Sequence, residues 1–352
     1  MRAVTQRSAF TLRQLLAAVM ILAALMAVAL PRLVWNRETA RREECVQKLR
    51  QIGIALQNHH DSFKYFPKLS TEDFPQTPGG KNAGFSWICR IIPYMEAYGL
   101  YNGMPTASNK FAPIRSGGVS AFNPRVSDTS GRHYGTVQLD ALICPSFTGR
   151  GISVQTTGIY AATLGINPKS NPPIGVAISN YVAIPATHIA LMRTATSSAD
   201  LTDGVLRASK GANLRTITDG LSNTVMVCES RERGLNAWID GSVNWVVGAD
   251  PNNATAPTIT PQGLITLPAG AGTALNVGPS RRTPNARYLT SANSPNGYEW
   301  AWGPSSEHPG IVLHVYADAS VRAQSDTINP TVYLRLITRA GADPVVDPGV
   351  AN

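Results

Sequence analysis

Side chains able to do acid–base, nucleophilic or metal chemistry are scattered thinly along the 352 residues. His59, His60 and Asp61 are adjacent. Neighbours on a helix point about 100° apart, so the three do not converge on an ion as i, i+4 ligands would. They read as a helix end, where histidine favours the negative pole of the dipole or packs under the loop to Phe66. His308 and Asp318 invite an acid/base or metal pair. A strand from Ile311 to Tyr316 must lie between them, and ten straight residues would span about 33 Å, so they sit at opposite ends and are not a catalytic pair. Local roles follow: a corner at His308 to Gly310, and Asp318 capping a hairpin turn through nearby amides. The loops Asp200-Leu-Thr-Asp203-Gly204 and Asp219-Gly220 carry carboxylates beside tight turns. Neither has the spaced ligands of an EF-hand, and Asx-turns account for them better than calcium does.

Four cysteines, Cys45, Cys89, Cys144 and Cys228, are too few for a disulfide scaffold of this length, and none lies in a C-x-x-C pair. A zinc ribbon or thioredoxin-type site is therefore disfavoured. The thiols allow three pairings, or stay free and buried. No phosphate loop, H-E-x-x-H, G-x-S-x-G or G-x-G-x-x-G occurs, so phosphate, zinc and acyl chemistry have no motif to stand on. No catalytic residue, cofactor or metal is assigned. Charged residues make up 15%, against ~25% in typical soluble domains. Gly 30 and Pro 25 point to a loop-rich, exported chain. The net charge of +9 is concentrated at Arg2, Arg7 and Arg13, then at Arg32, Arg37, Arg41, Arg42, Lys48 and Arg50. Basic residues flanking an apolar run suit anionic lipid head groups better than nucleic acid.

The elements that must position these groups begin with that run. Leu15 to Leu30 is uninterrupted apolar sequence of 16 residues. A helix from Phe10 to Leu30 would be about 32 Å long, matching a bilayer core of ~30 Å. A membrane helix is expected over 10–34. It lacks the shorter apolar core and small-residue cleavage site of a secretory signal. Beyond Pro31, Cys45, Leu49, Ile52, Leu56 and Phe63 form one stripe at helical spacing, opposite Arg41, Glu44, Lys48, Gln51 and Gln57. One long helix, Phe10 to about Phe63, is predicted, with a second half that needs a sheet to cover it. Strands are predicted at Leu139 to Ile143, Tyr181 to Ile184, Thr224 to Cys228, and Ile311 to Tyr316, the last turning at Ala317 to Ser320 into a hairpin with Val321. A closing helix has Asn329 as N-cap, Pro330 at its first position, Val332, Tyr333, Leu336 and Ile337 as its apolar face, and Gly341 as its stop. The fold class is α+β: helices on an antiparallel sheet, with long loop insertions, above all at 249–297.

The segment Arg7 to Trp35, with its basic leader, Phe-Thr-Leu opening and a proline 21 residues after Phe10, resembles the start of type IV pilins and type II secretion pseudopilins. That resemblance implies a leader over 1–9, cleavage between Ala9 and Phe10 by a prepilin peptidase, methylation of the new Phe10 amine, and a head held outside the inner membrane, although a count of flanking basic residues alone would place it inside. Further blocks, from RREECVQKLRQIGIALQNHHDSFKYFP (Arg41 to Pro67) through SWICRIIPYMEAYGLYN, LICPS, SNYVAI and RTITDGLSNTVMVCE to the segment from His308 to Asp343, resemble the planctomycete family of pseudopilin-like proteins known as DUF1559. His308 and Asp318 carry that family's signature of a histidine, nine residues, then Asp-Gly. The resemblance also implies a disulfide between Cys45 and Cys144, tying the helix to the sheet; Cys89 and Cys228 lie outside that pattern and are expected as an additional pair, with buried free thiols as the alternative.

Three departures stand out. Ala9 replaces the glycine before the scissile bond. Gln14, beside Arg13, replaces the acid that in pilin-like filaments pairs with a neighbouring terminal amine inside the bilayer, where an unpaired charge is expensive. Ala319 follows Asp318 where the family has glycine, which strains the turn if it needs a positive φ. The resulting expectation is a type IV pilin-like, non-enzymatic structural protein with a periplasmic or surface-exposed head over 35–352. It would serve as a minor subunit or anchor of a secretion-type pseudopilus, with the membrane, the prepilin peptidase and other pseudopilin-like subunits as partners. The rival is a surface module binding carbohydrate through Trp238, Trp245, Trp300 and Trp302. Buried tryptophans would favour the scaffold.

Overall fold

The computed structural model describes residues 12–72, 84–104, 121, 133–153, 175–188, 191–192, 202–208, 210–232, 236–248 and 303–341, with the backbone of three short strands between 258 and 277; side chains are not described at 25, 27–36, 330 and 331. α1 (Leu12–Phe63) is a single helix of 52 residues that runs through Pro31. Among the described residues no helix is long and apolar enough to cross a membrane. The described side chains of the apolar stretch stop at Ala24 and Met26, short of the ~20 residues a bilayer needs.

The strands are β1 (Tyr181–Ala186), β2 (Val225–Glu229), β3 (Trp245–Val247), β4 (Thr258–Ile259), β5 (Ile265–Thr266), β6 (Asn276–Val277), β7 (Ser305–Ser306), β8 (Ile311–Tyr316) and β9 (Val321–Ser325), and the shorter helices are α2 (Trp87–Ile91), α3 (Tyr98–Gly103) and α4 (Pro330–Ile337). Five strands form one sheet in the order β3-β1-β2-β8-β9. The expected antiparallel sheet is in fact mixed, because β3 pairs parallel to β1. After β2 the chain crosses to the far side of β1 instead of turning back beside β2, and that crossover sets the direction. Pro185, which has no amide to donate, sits where the β1–β3 register shifts between Ala183 and Ala186, the kind of irregularity at which a sheet accepts proline.

One face of the sheet buries Cys45, Leu49, Ile52 and Leu56 of α1 against Tyr181, Ala183, Val227, Leu313 and Val315. The other packs Val182, Ile184, Val225, Cys228, Val312 and Tyr316 under Tyr333, Leu334, Leu336 and Ile337 of α4. The predicted stripe is therefore correct as far as Leu56. Phe63 departs from it, with 53% of its surface exposed. The chain turns back one residue later, through Lys64 at φ 65°, a left-handed residue of the kind that ends helices. Phe66 is buried instead. Lys48 and Gln57 are also less free than an outer face implies: they donate to the carbonyls of Ile143 (3.0 Å) and Ala317.

The β8–β9 hairpin and α4 form where predicted. Asp318 Oδ1 accepts the Ser320 amide at 2.9 Å, the expected turn cap. Ala319 has φ 64°, so alanine does occupy a left-handed position. The predicted strand Leu139 to Ile143 is a short 3-10 turn, Asp140–Leu142, instead. Only Leu142 is fully buried there, and the amides of Leu142 and Ile143 are spent locally on the carbonyls of Leu139 (2.9 Å) and Asp140 (3.2 Å) instead of on a neighbouring strand.

Candidate functional site

Chemistry-bearing groups gather where the lower part of the α1–sheet contact meets the ends of β2 and β7. Glu38 and Cys45 are two turns apart on α1 and share a face. Cys228 faces α4, so strand alternation turns Glu229, the last residue of β2, toward α1. His308 sits in the corner between β7 and β8, its amide donating to Ser306 Oγ at 3.0 Å. Cys144 follows the 3-10 turn, its amide held by Asn180 Oδ1 at 3.1 Å.

Cys45 and Cys144 form a disulfide with 5.4 Å between Cα atoms, across a sequence separation of 99. This is the pairing that the family pattern implied. The second expected pair is corrected: Cys89 and Cys228 are free and buried. Cys89 packs with the α1 layer and Cys228 with the α4 layer, so the sheet lies between them. Burial pushes the Cys89 thiol up to about 12 and the Cys228 thiol well above its ordinary value, which leaves both inert as nucleophiles.

Around the disulfide, His308 Nδ1 lies 2.7 Å from Glu38 Oε1. A carboxylate only accepts, so Nδ1 carries the proton. The other ring nitrogen, Nε2, faces Glu229 Oε1 at 3.5 Å and Cys144 Sγ at 3.7 Å. Burial works against the charged imidazolium, but the Glu229 and Glu38 carboxylates outweigh it and hold the His308 pKa above its ordinary value. Glu229 Oε2 accepts the Leu313 amide at 3.1 Å, whereas the buried Oε1 has no hydrogen-bond partner. Ser146 Oγ donates to Glu38 at 3.1 Å. Beside the cluster, Arg231 pairs with Glu307 at 3.5 Å, and a cavity of about 10 Å³ is lined by Cys144, Asn180, Glu229 and Arg231, room for a single water. Cys45, Cys144, Glu229 and His308 are all buried and offer ligand atoms within 4.8 Å of one another. These are donor types that bind metal ions, two of them tied up in the disulfide.

The sequence model of proteins of unknown function designated DUF1559 matches residues 36–331, which include all five residues of this cluster. The chain belongs to the DUF1559 family. No curated protein and no solved structure matches it.

The other described residues singled out in the sequence of this DUF1559 chain make structural contacts, although Asp203 and Asp219 spend their carboxylates on distant segments, Thr187 and Thr338 with Gly341, and not on the local Asx-turns expected. His59 and His60 are buried at the end of α1; His59 Nδ1 donates to the Tyr65 carbonyl at 3.1 Å, and burial lowers its pKa to about 4. Asp203 accepts the Thr187 amide at 2.8 Å, and burial raises its carboxyl above the ordinary range. Asp219 accepts Gly341 N at 2.7 Å. Asp200 lies outside the described residues, as do Ala9, Phe10, Trp300 and Trp302. Trp238 and Trp245 are core residues, with indole N–H groups donating to the carbonyls of Val137 (3.0 Å) and Ser242 (2.9 Å). They are not available to a stacking platform. Asp318 stays at the far end of β8 from His308, as the strand length required. Sequence reasoning missed Glu38 and Glu229. The first is signalled by its two-turn spacing to Cys45, the second by being the one acid in the apolar strand VMVCE.

Proposed function

We propose that this DUF1559 protein is a non-enzymatic, membrane-anchored, pseudopilin-like structural protein with a pilin-like fold, serving as a minor subunit or anchor of a secretion-type pseudopilus or related surface fibre. One observation carries the reading. The first half of α1 leaves apolar side chains in the open, with Leu12 72%, Met20 68% and Ile21 62% exposed, while in its second half Cys45, Leu49, Ile52 and Leu56 are wholly buried. Apolar surface of that extent calls for lipid or a partner helix, and in sequence the apolar run continues to Leu30. The span over 10–34, the leader over 1–9 and an exported head over 35–352 follow from that reading. The Cys45–Cys144 disulfide supports an oxidising compartment for the head.

Amino-terminal peptide mass spectrometry on protein from native membranes tests the proposal. A terminus at methylated Phe10 is expected, with the protein retained in membranes after a carbonate wash. Recovery in the soluble fraction overturns anchoring, and a chain still starting near Met1 reduces the segment to a signal anchor. Gln14→Glu is expected to increase recovery with pseudopilin-like subunits, by restoring the intramembrane carboxylate.

A further inference from the structure

The geometry points to a zinc-class metal site made by Cys45, Cys144, His308 and Glu229 when the disulfide is reduced. Four donors of types that bind zinc, two sulfurs, one imidazole nitrogen and one carboxylate oxygen, converge from α1, the loop after Asp140–Leu142, the β7–β8 corner and the end of β2. All four residues are buried, and their ligand atoms lie within 4.8 Å of one another. A tetrahedral zinc ion with bonds of about 2.0–2.3 Å places its ligands roughly 3.3–3.8 Å apart. The donors therefore need to draw together by about an ångström, and the sulfurs to part.

Two further features point to a ligand at this place. Glu229 Oε1 is buried without a hydrogen-bond partner and faces the cluster. His308 donates its Nδ1–H to Glu38 Oε1 at 2.7 Å, which turns Nε2, the nitrogen a metal would take, toward Cys144 Sγ and Glu229 Oε1. A carboxylate orienting the far nitrogen of a ligand histidine is the usual outer-shell device of zinc sites. Glu38 is accordingly a positioning residue, not a ligand.

The switch balances with a dithiol as co-reactant. Two electrons from the dithiol break the Cys45–Cys144 S–S bond, the dithiol closes to its own disulfide, and two thiols result. Zinc then displaces the two thiol protons, and the Nε2 proton where His308 is charged, to solvent, and takes one lone pair from His308 Nε2 and one from a Glu229 oxygen. Disulfide and metal are alternative cross-links between the same elements.

The test uses the full chain in detergent, with Cys89→Ser and Cys228→Ser to remove the other thiols, reduced with a dithiol that is then removed under anaerobic conditions. Zinc is titrated by calorimetry, and cobalt(II) by its visible absorption. One zinc per reduced chain is expected, with cobalt bands showing tetrahedral coordination with thiolate ligands, and none per oxidised chain. His308→Gln and Glu229→Gln should each weaken binding more than about tenfold, and Glu38→Gln about tenfold. The inference is overturned if the reduced chain takes up no zinc, if uptake is indifferent to His308 and Glu229, or if reduction abolishes the far-UV circular dichroism and zinc does not restore it.

Discussion

On the face of the sheet that meets α1, the apolar stripe from Cys45 to Leu56 is reinforced by a disulfide, by the Glu38–His308–Glu229 cluster, and by Lys48 and Gln57 reaching to backbone carbonyls. On the face that meets α4, nearly everything is hydrocarbon. At its centre is His314, whose Nδ1 lies 2.9 Å from the Val312 carbonyl and whose Nε2 lies 2.9 Å from the Tyr333 hydroxyl. A carbonyl only accepts, so Nδ1 donates, and neutral Nε2 accepts from Tyr333. The two histidines thus differ in sign: partner carboxylates raise the His308 pKa, while burial lowers that of His314 to about 4. The first half of α1 leaves its described side chains in the open, so the attachments gather on its second half, whereas α4 packs one strongly apolar face and is tied just past its end, where Asp219 accepts from Thr338 and Gly341 and Arg339 donates to the carbonyls of Thr202 and Gly204.

The largest effect expected from breaking this contrast is at the disulfide. Cys45→Ala with Cys144→Ala frees a loop closed across a separation of 99 residues and should cost about 4–5 kcal/mol on loop-entropy grounds. Denaturant unfolding measures it, and a loss under about 1 kcal/mol would mean the apolar stripe alone holds α1. The α4 face is probed by pH. The unfolded-state histidine protonates near 6.5, but His314 stays neutral down to about 4. Its contribution is complete above pH 6.5 and is lost as pH falls through that window, by at most about 3 kcal/mol. His314→Leu should flatten the pH dependence of the unfolding midpoint between pH 6.5 and 4, and an unchanged slope would place the acid sensitivity elsewhere.

Smaller effects mark the upper end of the α1 contact, where α1 and the hairpin turn touch. A Cβ on Gly53 would lie 2.9 Å from Val315 Cγ1 and 3.0 Å from the Ala319 Cα. Gly53→Ala should therefore destabilise by about 2 kcal/mol, since the backbone must move; a neutral outcome would show that this end of the helix floats on the sheet. Ala319→Gly relieves the left-handed strain at φ 64° and should stabilise by about 1 kcal/mol. A thermal melt resolves the gain, and no gain would mean the turn relaxes in solution.

What was legible in the sequence follows from how local the signal is. The β8–β9 hairpin, α4 with its Asn329 cap and the Cys45–Leu56 stripe rest on periodicity and punctuation within a few residues, and all three are present. β3 was not legible, because three residues joined in parallel to a strand some sixty positions earlier leave no local pattern. The same limit misplaced Leu139 to Ile143, whose β-like composition is overruled by Lys48 and Asn180. Pairing Cys89 with Cys228 failed because counting thiols cannot say which side of a sheet each one faces. Of the site, His308 and the disulfide came through the family pattern. Glu38 and Glu229 are brought to them only by the long-range docking of α1.

The disulfide also decides how a pull along α1 would be borne. Tension entering through the first half of α1 reaches the sheet at Cys45, and the S–S bond passes it directly to Cys144. The chain between them is shunted out of the load path, although α2, α3 and the greater part of the α1 stripe lie within it. Stretched from its ends, the oxidised protein is shorter by the contour of that loop, about 330 Å at 3.3–3.6 Å per residue. Under force the cross-link is a length limiter, and reduction would turn the same head into an extensible tether.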